Sequence, residues 1–249
     1  MRCAGINYNN SERQQMKIGI LQTGETPPPL RAKYGRYPAM FEDLFARIGG
    51  GDNFAIYDVR RGRLPKKPEV CDGYIITGSR YGVYEELPWI ARLLEYVQTL
   101  HRARRPMAGV CFGHQALAAA LGGRVVKSPK GWGVGLQSWR VLRAAPFMTK
   151  VPKDFSLLSF HQDQVVKLPR GAVRLFGNAF CQNAGFAIGS GVFAVQGHPE
   201  FVPGFCRDLA NHRRGMLPPE LVAAAARAGR NDSLLCARWM RAFFQNAIK

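Results

Sequence analysis

Arg105-Pro106-Met107-Ala108-Gly109-Val110-Cys111-Phe112-Gly113-His114-Gln115-Ala116-Leu117 sets one cysteine between two glycines where an apolar run gives way to a helical pattern. A turn that joins a buried strand directly to a helix forces its central residue into a strained conformation with the side chain standing clear. It also crowds the positions two before and two after, where only Gly fits easily. Gly109 and Gly113 occupy those positions. A helix over 115–121 would aim its first N–H groups and the positive end of its dipole at the sulfur, an arrangement that favours a thiolate. A cysteine in a strand–loop–helix unit is ordinarily a packed structural residue. The paired glycines make Cys111 a candidate covalent catalyst instead.

On either side of this junction, short apolar runs alternate with helical periods. Strands are expected near 17–22, 54–58, 73–77 and 106–110, and helices near 38–48, 88–101 and 114–121. Such alternation predicts an α/β fold with an open, mostly parallel sheet and helices on both faces, its site at the carboxyl ends of the strands. From 124 to 196 the runs shorten, including 135–142 and 173–177, which predicts a small antiparallel extension beside the main sheet. Helical periods return over 218–228 and 233–247, with Trp239, Phe243 and Phe244 available to pack, while Pro27-Pro28-Pro29 reads as an extended loop near the rim of the site.

A thiolate nucleophile needs a base to manage its proton and a third group to orient that base. His161-Gln162-Asp163 and His198-Pro199-Glu200 each set a carboxylate two residues beyond an imidazole. In extended backbone such positions face the same way, so chemistry alone does not separate the two pairs. The second follows a buried-strand pattern over 191–195, and Pro199 stiffens its link. His114 has no nearby carboxylate in sequence and reads as a packing or hydrogen-bonding residue beneath the turn.

Gly109-Val110-Cys111-Phe112-Gly113-His114-Gln115 together with Gly197-His198-Pro199-Glu200 resembles the class I (triad) glutamine amidotransferase family over roughly residues 16–210. Through Gly131-Trp132-Gly133-Val134-Gly135 and His161-Gln162-Asp163-Gln164-Val165, it is most similar to the free-standing type related to the glutaminase domain of GMP synthase. The resemblance implies a flavodoxin-like sheet with Cys111 as nucleophile, His198 as base and acid, and Glu200 orienting His198. His161 and Asp163 take a supporting role. It further implies an oxyanion hole from Gly78, Ser79 and Phe112, and a glutamine site formed by Gln115 and the backbone of Gly131, Trp132 and Gly133. The implied chemistry is hydrolysis of the γ-amide of glutamine through a γ-glutamyl thioester, releasing glutamate and ammonia, without metal or redox cofactor. Hydrolysis of γ-glutamyl conjugates is the alternative, and Arg80 and Tyr81, following the oxyanion segment, could shape the leaving-group side. A non-catalytic binding protein with a basic face ranks third.

Composition agrees with one enzyme domain over 16–249, preceded by a polar, flexible lead over 1–15. The 249 residues are 47% hydrophobic, enough for one large core. The six cysteines form no C-x-x-C pair and no H-E-x-x-H helix occurs, which sets zinc aside. With no apolar run of membrane-spanning length and no secretory signal, a cytoplasmic location is expected, with the thiols reduced. Thirty-five Lys+Arg against 17 Asp+Glu leave a charge of +18. Because the basic residues are dispersed and no nucleic-acid motif accompanies them, a solvated surface is the expected reading, with nucleic acid set aside. Short clusters at 60–63, 101–105 and 212–214 would form a docking patch only if they shared a face. Expected partners are thus a glutamine or γ-glutamyl small molecule and, for the amidotransferase reading, an ammonia-accepting synthetase.

Overall fold

The computed structural model describes residues 15–248. The expected lead over 1–15 lies outside the described residues except for Gln15, whose Nε2 donates to Gly51 O at 2.6 Å. Cys3 and Lys249 lie outside them as well.

The elements run β1 (Lys17–Gln22), α1 (Pro28–Tyr34), α2 (Tyr37–Ala46), β2 (Asn53–Asp58), β3 (Gly73–Ile76), α3 (Pro88–Arg102), β4 (Met107–Val110) and α4 (Phe112–Ala120). They continue through β5 (Arg124–Lys127), β6 (Gly133–Val141), β7 (Asp154–His161), β8 (Asp163–Lys167), β9 (Val173–Gly177), β10 (Gly185–Ile188) and β11 (Val192–Val195). Three helices close the chain, α5 (Pro203–His212), α6 (Pro219–Ala226) and α7 (Ser233–Ile248).

One nine-stranded sheet, in the order β2-β1-β3-β4-β11-β10-β9-β6-β7, carries the fold. Strands β2, β1, β3, β4 and β11 pair in parallel. Beyond β11 the pairing turns antiparallel through β10, β9, β6 and β7, so the expected extension is continuous with the main sheet. A separate ribbon pairs β5 with β8.

Both faces of the inner parallel strands β1, β3, β4 and β11 are covered, which is why β3, β4 and β11 read as unbroken apolar runs rather than alternating ones, whereas the edge strand β2 stays partly exposed. Their side chains divide by the period-two rule. Ile75 and Ala108 point to one face, joined by Phe41, Phe45, Trp239, Phe243 and Phe244 of α2 and α7. Tyr74, Ile76 and Met107 point to the other, joined by Leu93, Val97, Ala116 and Leu117 of α3 and α4. A third cluster gathers Val134, Leu158, Phe160, Phe205 and Leu209 where α5 and α6 cover the antiparallel strands.

The Pro-rich run is not an extended loop. Pro28 and Pro29 open α1, where the absent N–H of proline costs no intrahelical bond and its fixed φ suits the first turn. No helix among the described residues is long and apolar enough to cross a membrane.

Candidate active site

Cys111 follows β4 with φ 54° and ψ −104°, the strained, positive-φ geometry expected of the turn. A Cβ on Gly113 would lie 2.1 Å from Ile76 O, and one on Gly109 2.5 Å from Gly113 O, so backbone is packed directly on backbone at both glycines. The helix begins at Phe112, three residues earlier than 115, with Cys111 at its cap and Gln115 N donating to Cys111 O at 3.1 Å. The N–H groups of Phe112, Gly113 and His114 therefore belong to an open first turn beside the sulfur.

Neighbouring strands deliver the other groups to the same edge. Cys111 N donates to Val195 O at 2.9 Å, which seats the cysteine beside the end of β11 and the segment that leads to His198. His198 N donates to Leu158 O at 2.7 Å, fixing the backbone of that segment on β7. From β3, Gly78 approaches so closely that an added Cβ would stand 2.9 Å from His198 Cε1 and 3.7 Å from Cys111 Cβ.

The imidazole of His198 donates from Nδ1 to Glu200 Oε1 at 2.7 Å, leaving Nε2 for the cysteine side. Phe201 stacks on the ring at 3.8 Å and 6°. Burial by itself would strip the proton from His198; the charges of Glu200 and Cys111, with hydrogen bonds to both, outweigh it and raise the imidazole to about 10. A turn stiffened by Pro199, not extended strand, brings His198 and Glu200 together.

The other candidate pair does not form. β7 ends at His161 and β8 begins at Asp163, so the chain turns at Gln162 and the two side chains part. His161 Nδ1 donates to the backbone O of Asp163 at 3.1 Å, while the Asp163 carboxylate accepts from Tyr84 OH at 3.0 Å. Burial, reinforced by the charge of His198, depresses His161 to about 4, so it is neutral and offers an unprotonated Nε2. Fully buried His114 is pushed down by burial to about 3 and donates from Nε2 to Asn183 O at 2.8 Å, a packing role beneath the turn as expected.

Ser79 Oγ donates to Thr23 O at 2.8 Å, and Thr23 Oγ1 donates to Thr77 O at 2.9 Å. The segment after β3 is thus clamped to the end of β1, and Gly24 lets the two backbones meet, since its Cβ would lie 2.5 Å from Gly78 O. Sequence reasoning missed Thr23 and Gly24, although their place directly after a predicted strand end was the available signal.

A cavity of about 650 Å³ opens over Cys111. Of the predicted residues, Ser79, Cys111, Gln115, Trp132, His161 and Asp163 line it, and Arg80 and Tyr81 join them on the rim. Gly78, Phe112, His198 and Glu200 stand behind this lining, and Gly131 and Gly133 flank Trp132. Gln115, 3% exposed, donates from Nε2 to Asp163 O at 3.0 Å and Gln196 Oε1 at 3.3 Å, so its amide is already oriented. Tyr37, Tyr84, Lys127 and Met216 also line the wall without having been expected there.

The three basic clusters do not share a face. Arg60 and Arg213 reach the cavity at the carboxyl ends of the parallel strands. Arg102–Arg105 precede β4 and lie at the opposite, amino edge of the sheet.

Residues 63–207 match the family model for Glutamine amidotransferase class-I. The chain is 31% identical to γ-glutamyl peptidase 3 of Arabidopsis thaliana over 180 residues, covering 69% of this chain and 72% of that protein. It is 33% identical to the glutamine-hydrolyzing GMP synthase protein of Archaeoglobus fulgidus over 96 residues, 38% of this chain and 52% of that one. Its fold matches the crystal structure of a glutamine amidotransferase from Thermotoga maritima with a TM-score of 0.73 and 20% identity, covering 95% of this chain and 99% of the other. The chain belongs to the class I glutamine amidotransferase family.

Proposed function

We propose that this protein is a cysteine-dependent hydrolase of γ-glutamyl amides that accepts a substituent on the amide nitrogen. The observation that carries the reading is the size of the cavity over Cys111. Its volume of about 650 Å³ falls in the range of roughly 300–1,000 Å³ that holds a drug-sized ligand, well beyond one glutamine side chain. Relatives that are γ-glutamyl peptidases support the same choice. The sequence alone puts glutamine first and conjugates second; the size of the cavity supports the second.

In this reading Cys111 Sγ attacks the γ-carbonyl carbon and forms a C–S bond. The carbonyl oxygen becomes an oxyanion held by the backbone N–H groups of Gly78, Ser79 and Phe112, donors worth about 3 kcal/mol each in such sites. His198, whose proton is retained by the charges of Glu200 and Cys111, transfers that proton to the amide nitrogen. The C–N bond then breaks and the amine departs, leaving a γ-glutamyl thioester. Water gives a proton back to His198 and its oxygen to the carbonyl carbon. The C–S bond breaks, releasing glutamate and restoring thiolate and imidazolium. Glu200 orients the ring and does not change its own protonation, as in triads generally. Gln115, Trp132, His161 and Asp163 form the wall against which the glutamyl part is held, with Gly131 and Gly133 giving Trp132 its backbone setting.

The test is glutamate release from glutamine and from a set of N-substituted γ-glutamyl amides, with Cys111→Ala as control. Faster turnover of the substituted amides, abolished in the variant, is the expected result. Preference for free glutamine would return the chain to the amidotransferase reading and direct attention to an ammonia-accepting synthetase. Activity that survives Cys111→Ala would remove the thioester route altogether.

A further inference from the structure

A line of buried polar side chains runs from the cavity wall into the core, through Gln115, Gln196 and His114. Gln115 Nε2 donates to Asp163 O at 3.0 Å and to Gln196 Oε1 at 3.3 Å. At the far end His114 Nε2 donates to Asn183 O at 2.8 Å. Between them the Gln196 side chain reaches the His114 ring. Gln196 Nε2 and His114 Nδ1 are the buried atoms that these other contacts leave over. The backbone keeps the line in place. Gln196 N donates to Ala184 O at 2.7 Å, beside the Asn183 carbonyl, and Phe186 of β10 packs on the His114 ring with centroids 5.1 Å apart.

Both ends of the line are backbone carbonyls, which only accept, and this fixes its direction. Asp163 O requires the NH2 end of Gln115, and the same nitrogen requires an oxygen from Gln196. The NH2 end of Gln196 is thereby turned toward His114. Asn183 O requires a proton on His114 Nε2, and burial keeps the ring neutral, so Nδ1 presents a lone pair to that NH2 group. Every donor then points inward, from Gln115 to Asn183. A Gln196 amide turned over would set NH2 against NH2 at Gln115 and oxygen against a lone pair at His114.

The consequence lies at the cavity. Gln115 lines it and spends Nε2 on both of its side-chain hydrogen bonds, which leaves Oε1 as the end available to a ligand. The glutamyl part of a substrate, held against this wall, carries one donor group, its α-ammonium.

We propose that Gln196 and His114 are positioning residues that, through this one-way line of donors, hold Gln115 with Oε1 toward the cavity, where it accepts from the α-ammonium of the glutamyl group. This inference rests on the reading of the cavity as a γ-glutamyl site and deepens it. A hydrogen bond from a charged donor is worth about tenfold or more in binding.

The experiment compares γ-glutamyl-p-nitroanilide with glutaryl-p-nitroanilide, which differ only in the α-amino group, on the native enzyme, Q196M and Q196E. Methionine keeps the length of glutamine and removes both hydrogen-bonding atoms. Glutamate keeps an oxygen for Gln115 and, as the neutral acid, a donor for His114 Nδ1. Q196M is expected to raise KM for the γ-glutamyl substrate about tenfold or more with kcat little changed, the mark of a contact made equally in ground and transition states. The glutaryl substrate is expected to be unaffected, and Q196E to recover most of the loss. Equal losses on both substrates overturn the proposal, and so does a native KM in Q196M. Where the glutaryl anilide is not turned over, the inhibition constants of glutamate and glutarate give the same comparison. Nitrogen NMR of the isotope-labelled native protein adds a readout that needs no turnover. His114 is expected to carry its proton on Nε2 and none on Nδ1 through the neutral pH range. The opposite tautomer or a charged ring overturns the proposal, and this measurement decides if Q196M does not fold. Turnover of glutamine with neither anilide cleaved brings down the substituted-amide reading instead, and the positioning role is then decided by the same variants on glutamine against glutaramate.

Discussion

His198 shows how three side chains set one another's chemistry. It is 4% exposed, and burial alone would leave it neutral at physiological pH; the carboxylate 2.7 Å away and the neighbouring cysteine raise it to about 10 instead. A histidine that keeps its proton through neutral pH can act as the acid for a departing amine, and its titration then limits activity on the alkaline side. Replacing Glu200 by Gln keeps the shape and removes the charge. The imidazole then follows burial downward, so the alkaline fall of kcat/KM is expected to move to lower pH. At neutral pH kcat should drop about a hundredfold or more, the usual scale of general acid–base catalysis. A pH–rate series on wild type and Glu200→Gln measures both effects; an unmoved alkaline limb would remove Glu200 from this role. His161 and His114, pushed to about 4 and about 3, stay neutral throughout that range and do not shape the profile. Sequence separated these histidines only in part. The motif around His198 was legible because Pro199 and the preceding strand mark a rigid turn. The equal claim of His161 failed because the i, i+2 rule needs extended backbone, and the chain turns at Gln162 between two strands of different sheets.

Elements meet most tightly where β4 turns into α4. An alanine at Gly113 would push its Cβ to 2.1 Å from Ile76 O, and backbone on both sides leaves nothing soft to yield. Gly113→Ala is expected to cost about 2–3 kcal/mol, the scale of overpacking a closed site. Because α4 and β3 carry the two halves of the candidate oxyanion hole, activity should fall with stability. Gly131→Ala is the contrast. Gly131 has φ 80°, but no atom lies within 4 Å of where its Cβ would stand, so only backbone strain of about 1–2 kcal/mol applies. Urea midpoints of the two variants measure the difference, and equal midpoints would contradict the packing argument. The glycine pair was legible because close backbone approach admits no other residue. The inner parallel strands were legible for a related reason, since burial on both faces leaves an uninterrupted apolar run. The start of α1 was hidden because three prolines are locally indistinguishable from an extended loop, and only the following helix turns Pro28 and Pro29 into a first turn. Helix α5 also escaped notice: its polar outer face, with Arg207 and Asp208 in an ion pair at 3.0 Å, dilutes the apolar period that buries Phe205, Cys206 and Leu209.

At the scale of the whole molecule, one sheet edge gathers the chemistry while the rest of the structure keeps other reactive groups closed. Helix α7 seals the face opposite α3 and α4, and its Arg241 reaches Asp52 at 2.8 Å with the Asp52 side chain wholly buried. Removing one member of such a pair strands the other, so Asp52→Asn is expected to lower stability by about 3 kcal/mol in denaturant titration. The basic clusters legible in sequence lie at opposite ends of the parallel strands, Arg60 and Arg213 at the cavity and Arg102–Arg105 before β4, which is why the three form no single docking patch. Cysteines give the sharpest expression of this division. Cys71, Cys181, Cys206 and Cys236 are each at most 1% exposed, and burial pushes all four thiols up, Cys181 to about 12 and Cys206 to about 11. Cys111 is itself only 4% exposed, yet it lies on the wall of the cavity, on the open turn of a helix and beside the His198 imidazole. Thiolate character and access together govern cysteine reactivity, so one thiol among the five described should react in the native state. An electrophile built on the glutamate skeleton, applied at neutral pH and followed by peptide mass spectrometry, is expected to modify Cys111 well before Cys71, Cys181, Cys206 or Cys236. Excess glutamate should slow that reaction, and denaturant should open all five to it. Comparable early labelling at a buried cysteine would mean that the core opens faster than the cavity admits the reagent, and would withdraw the claim that the fold reserves its reactivity for the end of β4.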